Sequence, residues 1–142
     1  MFATVEAMKS KFGEKELIEL TDNEAPYQGV INLDKLNAAM QAANSEIEGY
    51  LAARYTLPLQ LVPPFLQSLG CDMARYHAST GVMSGDDPIK TRYDNAIKTL
   101  KEISKGLIAV GGTPTGEAAP IKTASNNVMM TIGRHDWGGR GW

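Results

Sequence analysis

The chain has 142 residues, 14 basic against 16 acidic side chains and a net charge of −2, which suits one hydrophobic core and disfavours binding to a nucleic acid backbone as the primary role. Its one cysteine, Cys71, excludes an intrachain disulfide, and no Cys/His spacing is typical of zinc. This cysteine usage suits the reducing cytosol. We expect neither a secretion signal nor a membrane span, because no basic segment followed by an apolar run stands at the N-terminus and no run of about eighteen apolar residues occurs.

Two short helices are predicted at the N-terminus. Thr4 is suited to cap a first helix, and Gly13 directly after Phe12 is typical of a helix end. A second helix is predicted over residues 14–20, because the side chains of residues 21–23 favour a turn.

A long central helix is predicted from Asp34 to about Tyr55, with Asn32 or Asp34 as its cap. Its apolar residues recur at steps of three and four, which places them on one helix face: Leu33, Leu36, Met40, Ala43, Ile47, Tyr50, Leu51 and Tyr55. Gly49 interrupts the pattern at a cost of about 1 kcal/mol relative to alanine. It indicates either close approach by a neighbouring helix or chain, or a tolerated weakness.

Prolines delimit two further helices. Pro58 ends the central helix region, and Pro63 and Pro64 begin a fourth helix that is predicted to reach Thr80, with Gly81 closing it. The run from Ser84 to Pro88 is a turn and cap for a fifth helix, whose apolar rhythm ends at Leu107.

Glycine and proline dominate the chain after Ile108, which indicates a linker. Residues 127–132 form at most one short strand or a docking segment. We therefore predict a helical domain over residues 1–108 and an extended arm over residues 109–142. The predicted fold class is all-α, a small helical bundle with one long central helix and an extended C-terminal arm.

No catalytic, cofactor or metal site is predicted. Glu46 and Glu48 are two residues apart and are better explained as a solvated helix face than as an acid and base pair. The Asp86-Asp87 pair is assigned to helix capping. Cys71 is assigned to core packing, and His77 has no polar residue spaced to orient it.

Arginine precedes tyrosine near three predicted helix ends, at Arg54-Tyr55, Arg75-Tyr76 and Arg92-Tyr93. Each pair is explained either by packing on the domain's own surface or by a subunit interface, where both residue types are enriched. The C-terminal tryptophans add nothing to a core, so a tail that becomes ordered on a partner explains them better than a disordered end.

The order of elements resembles the Mu-like phage and prophage family of small head-tail connector proteins. The likeness covers roughly residues 1–107 and is most specific over residues 49–59, Gly-Tyr-Leu-Ala-Ala-Arg-Tyr-Thr-Leu-Pro-Leu. It is carried also by the segments Asp72-Met73-Ala74-Arg75-Tyr76 and Arg92-Tyr93-Asp94-Asn95-Ala96-Ile97.

The resemblance implies a structural protein of the virion neck, formed in the host cytoplasm, and not an enzyme. Its implied partners are further copies in a ring, typically dodecameric, the portal protein and a tail-side neck or terminator protein, with DNA only as passing cargo and no membrane. We predict assembly contacts at these residues: Gly49, Tyr50, Arg54, Tyr55, Arg75, Arg92, Arg134, Trp137, Arg140 and Trp142.

Two alternatives remain. One is a monomeric adaptor or regulatory module that binds a partner protein through its C-terminal tail. The other is a helical enzyme or DNA-binding protein, which the lack of converging polar residues and of a basic recognition helix disfavours.

Overall fold

The computed structural model describes residues 1–79 and 85–111, and within these ranges every regular element is a helix. The predicted all-α bundle with one long helix is confirmed. The five helices are α1 (Val5–Phe12), α2 (Glu14–Thr21), α3 (Leu33–Leu51), α4 (Pro64–Ala78) and α5 (Pro88–Ser104).

Helices α3 and α4 form the centre of the bundle. Helix α4 contacts each of the other four helices, and α3 contacts α2, α4 and α5. Burial of each large aliphatic side chain contributes about 1.5–3 kcal/mol, so this shared interior is the main source of stability. The largest fully buried side chains come from all five helices: Met8, Leu17, Leu36, Ile47, Leu51, Leu66, Cys71, Met73, Leu100 and Ile103. The assignment of Cys71 to the core is confirmed.

Local capping predicts the helix starts well. The Thr4 hydroxyl accepts a hydrogen bond from a backbone N–H of the first turn of α1, and Gly13 has the left-handed φ of 87° that the helix end requires. Asn32, and not Asp34, caps α3. Asp87 caps α5 directly before Pro88, as predicted.

Three predicted helix ends are wrong, those of α3, α4 and α5. Helix α3 ends at Leu51, because the backbone N–H of Arg54 and that of Tyr55 both turn back to the Leu51 carbonyl, at 2.9 and 2.7 Å. Helix α5 ends at Ser104, because Gly106 takes a φ of 82° and donates its N–H to Ile103 while Leu107 donates to Glu102. This pair of bonds is a Schellman motif.

Two leucines that the sequence pattern placed on an apolar helix face are exposed in the structure. Leu107 was predicted to be part of the apolar face of the fifth helix, but it lies beyond the motif and is 75% exposed. Leu33, the first residue of α3, is 53% exposed, because it begins the helix at the loop end. Helix α4 ends at Ala78, short of the predicted Thr80, which together with Gly81 lies outside the described residues.

The first residues form an N-terminal strap held between α3 and α4. Phe2 and Ala3 are buried, and the N–H of each donates to the Oδ1 of Asn44 on α3 at 2.9 Å. On α4, a Cβ placed at Gly70 would lie 3.1 Å from the Ala3 nitrogen and 3.1 Å from the Phe2 Cβ. Gly70 therefore allows the strap to lie directly on the helix backbone.

The two mid-helix glycines are expected to respond oppositely to alanine. Gly49→Ala should raise the free energy of unfolding by about 0.5–1 kcal/mol, because a Cβ there meets no atom of residues 1–79 and 85–111 within 4 Å. Gly70→Ala gains the same helix propensity but crowds the strap, and overpacking costs about 1–3 kcal/mol. Urea unfolding followed by circular dichroism measures both. Equal stability of the two variants would show that the strap yields without cost.

Candidate assembly interface

Arg75 ties three helices of the same chain together. Its guanidinium forms an ion pair with Glu16 of α2 and lies 4.8 Å from the centroid of the Phe12 ring of α1. Its side chain is 17% exposed. In the described chain Arg75 thus supports the bundle by packing and charge pairing, as one of the two interpretations of the Arg-Tyr pairs expects.

Arg54 and Tyr55 hold the segment after α5 against the end of α3. A Cβ at Gly106 would lie 2.6 Å from the Arg54 Cζ, so the glycine makes room for the guanidinium. Tyr55 is 3% exposed, and its hydroxyl accepts the N–H of Val110 at 3.1 Å. Any contact of Tyr55 with another subunit would first require this packing to open.

The remaining candidates divide between surface and undescribed chain. Gly49 is exposed and no atom of the described residues lies within 4 Å of a Cβ placed there, so close approach by one of the described helices, one of the interpretations considered, is wrong. Tyr50 is half-buried against the core. Arg92 is 53% exposed and lies 3.8 Å from Asp72. The four C-terminal candidates lie outside the described residues: Arg134, Trp137, Arg140 and Trp142.

A polar and aromatic cluster that the sequence did not predict joins α3, α4 and α5. Glu46 accepts a hydrogen bond from the Tyr93 hydroxyl at 2.8 Å and contacts the His77 Nε2 at 3.1 Å. The rings of Tyr76 and Tyr93 stack with centroids 3.9 Å apart. The solvated-face interpretation of Glu46 is therefore wrong, and His77 does have an orienting partner. The sequence feature that could have indicated this cluster is the placement of two tyrosines, Tyr76 and Tyr93, on either side of the connection between α4 and α5.

The cluster predicts a late tyrosine titration. Burial first, and then the hydrogen bond to Glu46, raises the pKa of Tyr93 above its ordinary value of 10.0. Its contribution to stability is therefore complete below pH 10.0 and is lost as the pH rises through the higher folded value. In an alkaline titration of tyrosinate absorbance, Tyr93→Phe should remove the last component, and Tyr27→Phe should leave it in place. If the last component persists in Tyr93→Phe as well as in Tyr27→Phe, the assignment to Tyr93 is wrong.

The sequence pattern also did not predict that large apolar side chains are exposed near both ends of α3. Before α3, Tyr27, Val30 and Leu33 are 71%, 54% and 53% exposed. Beyond its other end, Leu61 and Leu107 are 78% and 75% exposed. The pattern of steps of three and four placed two of these five, Leu33 and Leu107, on the interior face. Clusters of exposed apolar side chains are typical of interaction surfaces.

The described residues offer little for other kinds of site. Among residues 1–79 and 85–111, no three His, Cys, Asp or Glu side chains come together as ligands of one metal ion. None of the helices in those ranges combines the length and the apolar content needed to cross a membrane.

Comparison with known proteins decides the family. The family model described as "Bacteriophage Mu, Gp36" matches residues 2–130, which include all five helices. The chain belongs to the Bacteriophage Mu Gp36 family. The predicted Mu-like phage origin is confirmed, and the Gp36 match extends beyond residue 107, where the resemblance seen in the sequence ended.

Two relatives of this Gp36-family chain support the assignment. It is 30% identical over 104 residues to the "Mu-like prophage FluMu protein gp36" of Haemophilus influenzae. The aligned region covers 73% of this chain and 70% of that protein. It is 29% identical over 82 residues to "Gene product J" of Escherichia phage Mu. The aligned region covers 58% of this chain and 57% of that protein. The Gp36-family protein is thus a phage or prophage protein.

Proposed function

We propose that this Gp36-family protein is a structural component of the virion neck that joins the phage head to the tail. In the proposal it is made in the host cytoplasm and assembles as a ring of identical copies below the portal. The portal protein lies on one side, a tail-side neck or terminator protein lies on the other, and DNA passes through. It has no catalytic role and no cofactor.

The exposed apolar residues at both ends of α3 carry the proposal. Tyr27, Leu61 and Leu107 are 71%, 78% and 75% exposed, so they contribute little to the core that the described residues form. A subunit of a ring needs contact surfaces toward the copies on both of its sides, and these residues supply two. Membership in a phage family is consistent with such a role.

Binding to heads tests the proposal. Heads that carry the portal but lack this protein are mixed with the purified full-length chain and sedimented. The chain should sediment with these heads and not with capsids that lack the portal. If it sediments equally with both, or with neither, the neck role is wrong. Failure to bind heads, together with capture by a non-virion protein through the tail, would favour the monomeric adaptor.

A further inference from the structure

We propose that copies of this protein contact one another head to tail, through two different surfaces at opposite ends of α3. The entry surface consists of Glu24, Tyr27, Val30, Leu33 and Asp34. The exit surface consists of Leu61, Lys101, Lys105 and Leu107. This inference rests on the proposed ring, and it specifies which residues of one copy meet which residues of the next.

The entry surface is apolar at its centre and has two carboxylates at its edge, with Lys35 beside Asp34 donating to the Asn23 Oδ1 at 2.6 Å. Glu24 and Asp34 are exposed, and neither forms an ion pair within the described chain. The backbone of the loop is held from inside, because the Asp22 carboxylate accepts the N–H of Gln28 at 2.9 Å and that of Gly29 at 2.7 Å. A loop held in this way loses little conformational entropy on docking.

The exit surface has the opposite charge. Lys101 and Lys105 lie four residues apart around the end of α5, both are exposed, and neither is ion-paired within the part of the chain that the structure describes. The Schellman motif at Gly106 fixes the position of Leu107 directly after them. Two exposed leucines and two exposed lysines complement the apolar and acidic residues of the entry surface in both hydrophobicity and charge.

A groove beside the exit surface can receive a side chain. It has a volume of about 330 Å³ and is lined by residues of the α3–α4 loop, including Pro58 and Leu61, and by Val110. Tyr27 is the largest side chain of the entry surface and is 71% exposed. We assign Tyr27 of one copy to this groove of the next, where its ring would be buried and its hydroxyl could remain at the rim.

The position of the two surfaces on α3 determines the kind of assembly. Leu33 begins α3, whereas Arg54 and Tyr55, just beyond its other end, hold the segment that carries Leu107. A helix of 19 residues separates the surfaces by about 28 Å. Because the two surfaces differ and lie apart, their contact is heterologous, and a heterologous contact produces rings or open helices and not two-fold dimers.

Disulfide trapping tests the contact. Val30→Cys and Leu107→Cys are made in separate full-length chains, and Cys71, at 1% exposure, stays out of the reaction. A mixture of the two should give a covalent dimer that does not grow, and a chain with both changes should give a ladder of multimers. Gln41→Cys, at an exposed position midway along α3, replaces Leu107→Cys as the control and should give no preferred product.

Charge exchange tests the same contact through a second property. Lys101→Glu with Lys105→Glu should lower the yield of the Val30–Leu107 disulfide by about tenfold, because two attractive pairs become repulsive. Glu24→Lys with Asp34→Lys on the partner chain should restore it. Lys9→Glu with Lys15→Glu is the matched control on the α1–α2 surface. Circular dichroism checks that each variant keeps the wild-type helical content.

Each outcome decides one of the two proposals. Trapping is run in free solution and on portal-bearing heads, and absence of the Val30–Leu107 product in both overturns the head-to-tail contact. Preferred Val30–Val30 products would overturn it in favour of a two-fold contact. A ladder without binding to heads would leave the contact standing while the neck role fails. Binding to heads without the ladder would support the neck role and overturn the head-to-tail contact.

Discussion

Asn44→Ala is expected to lower the free energy of unfolding by about 2–4 kcal/mol. One side-chain oxygen accepts the N–H groups of both Phe2 and Ala3, and a buried donor without an acceptor costs about 1–3 kcal/mol. If the N-terminal strap instead leaves its site to find water, Phe2 loses its burial, which contributes about 1.5–3 kcal/mol. Either response destabilises the bundle, and urea unfolding followed by circular dichroism measures the loss.

Asn37→Ala is the matched control on the same helix. Asn37 is exposed, and its replacement by a better helix former should change stability by no more than about 0.5 kcal/mol. If Asn44→Ala unfolds at the same urea concentration as Asn37→Ala, the strap is not held by Asn44. Increased protease cleavage near the N-terminus of Asn44→Ala would show that the strap has detached.

Removal of residues 112–142 is expected to leave the helical domain folded and to abolish its assembly on heads. Val110 is 3% exposed and donates to Tyr55, so a chain that ends at Gly111 retains this contact. The predicted arm, with Trp137 and Trp142, would be lost, and with it the docking that we assign to it. Helical content and the urea midpoint should match the full chain, whereas sedimentation with portal-bearing heads should disappear.

A shorter chain provides the control for this truncation. Ending at Ile108, the predicted domain boundary, also removes Val110 and leaves the Tyr55 hydroxyl without its donor. Burial of a valine contributes about 1.5–3 kcal/mol, so this chain should unfold at lower urea than the one ending at Gly111. If the chain ending at Gly111 is unfolded, the arm belongs to the core. If it still binds heads fully, the arm is not the docking segment.

Helix starts could be predicted because they depend on neighbouring residues. Each cap accepts a backbone N–H from a residue at most three positions away, so the local sequence is enough to identify it. The caps are Thr4, Asn32 and Asp87. Helix ends were harder. Tyr55 and Leu107 continue the apolar spacing of α3 and α5, and the pattern alone did not show that the chain had already turned.

The polar contacts across the bundle could not be predicted by spacing alone. The spacing of Glu46 and Glu48 assigned both to a solvated face, yet Glu46 accepts a hydrogen bond from Tyr93, 47 residues away. The position of Asn44 in the sequence does carry a signal, because it falls in step with Met40, Ile47 and Leu51 on the buried face of α3. A polar residue on an apolar stripe needs a buried partner, but only the fold shows that the partner is the N-terminal strap.

Rescue of tail joining measures the proposed neck function most directly. Heads filled in the absence of this protein are mixed with purified tails, with and without the full-length chain, and infectious particles are counted. The neck role predicts that tails join only when the chain is added, and that the chain ending at Gly111 fails to replace it. Tail joining at the same yield without the protein would contradict the neck role.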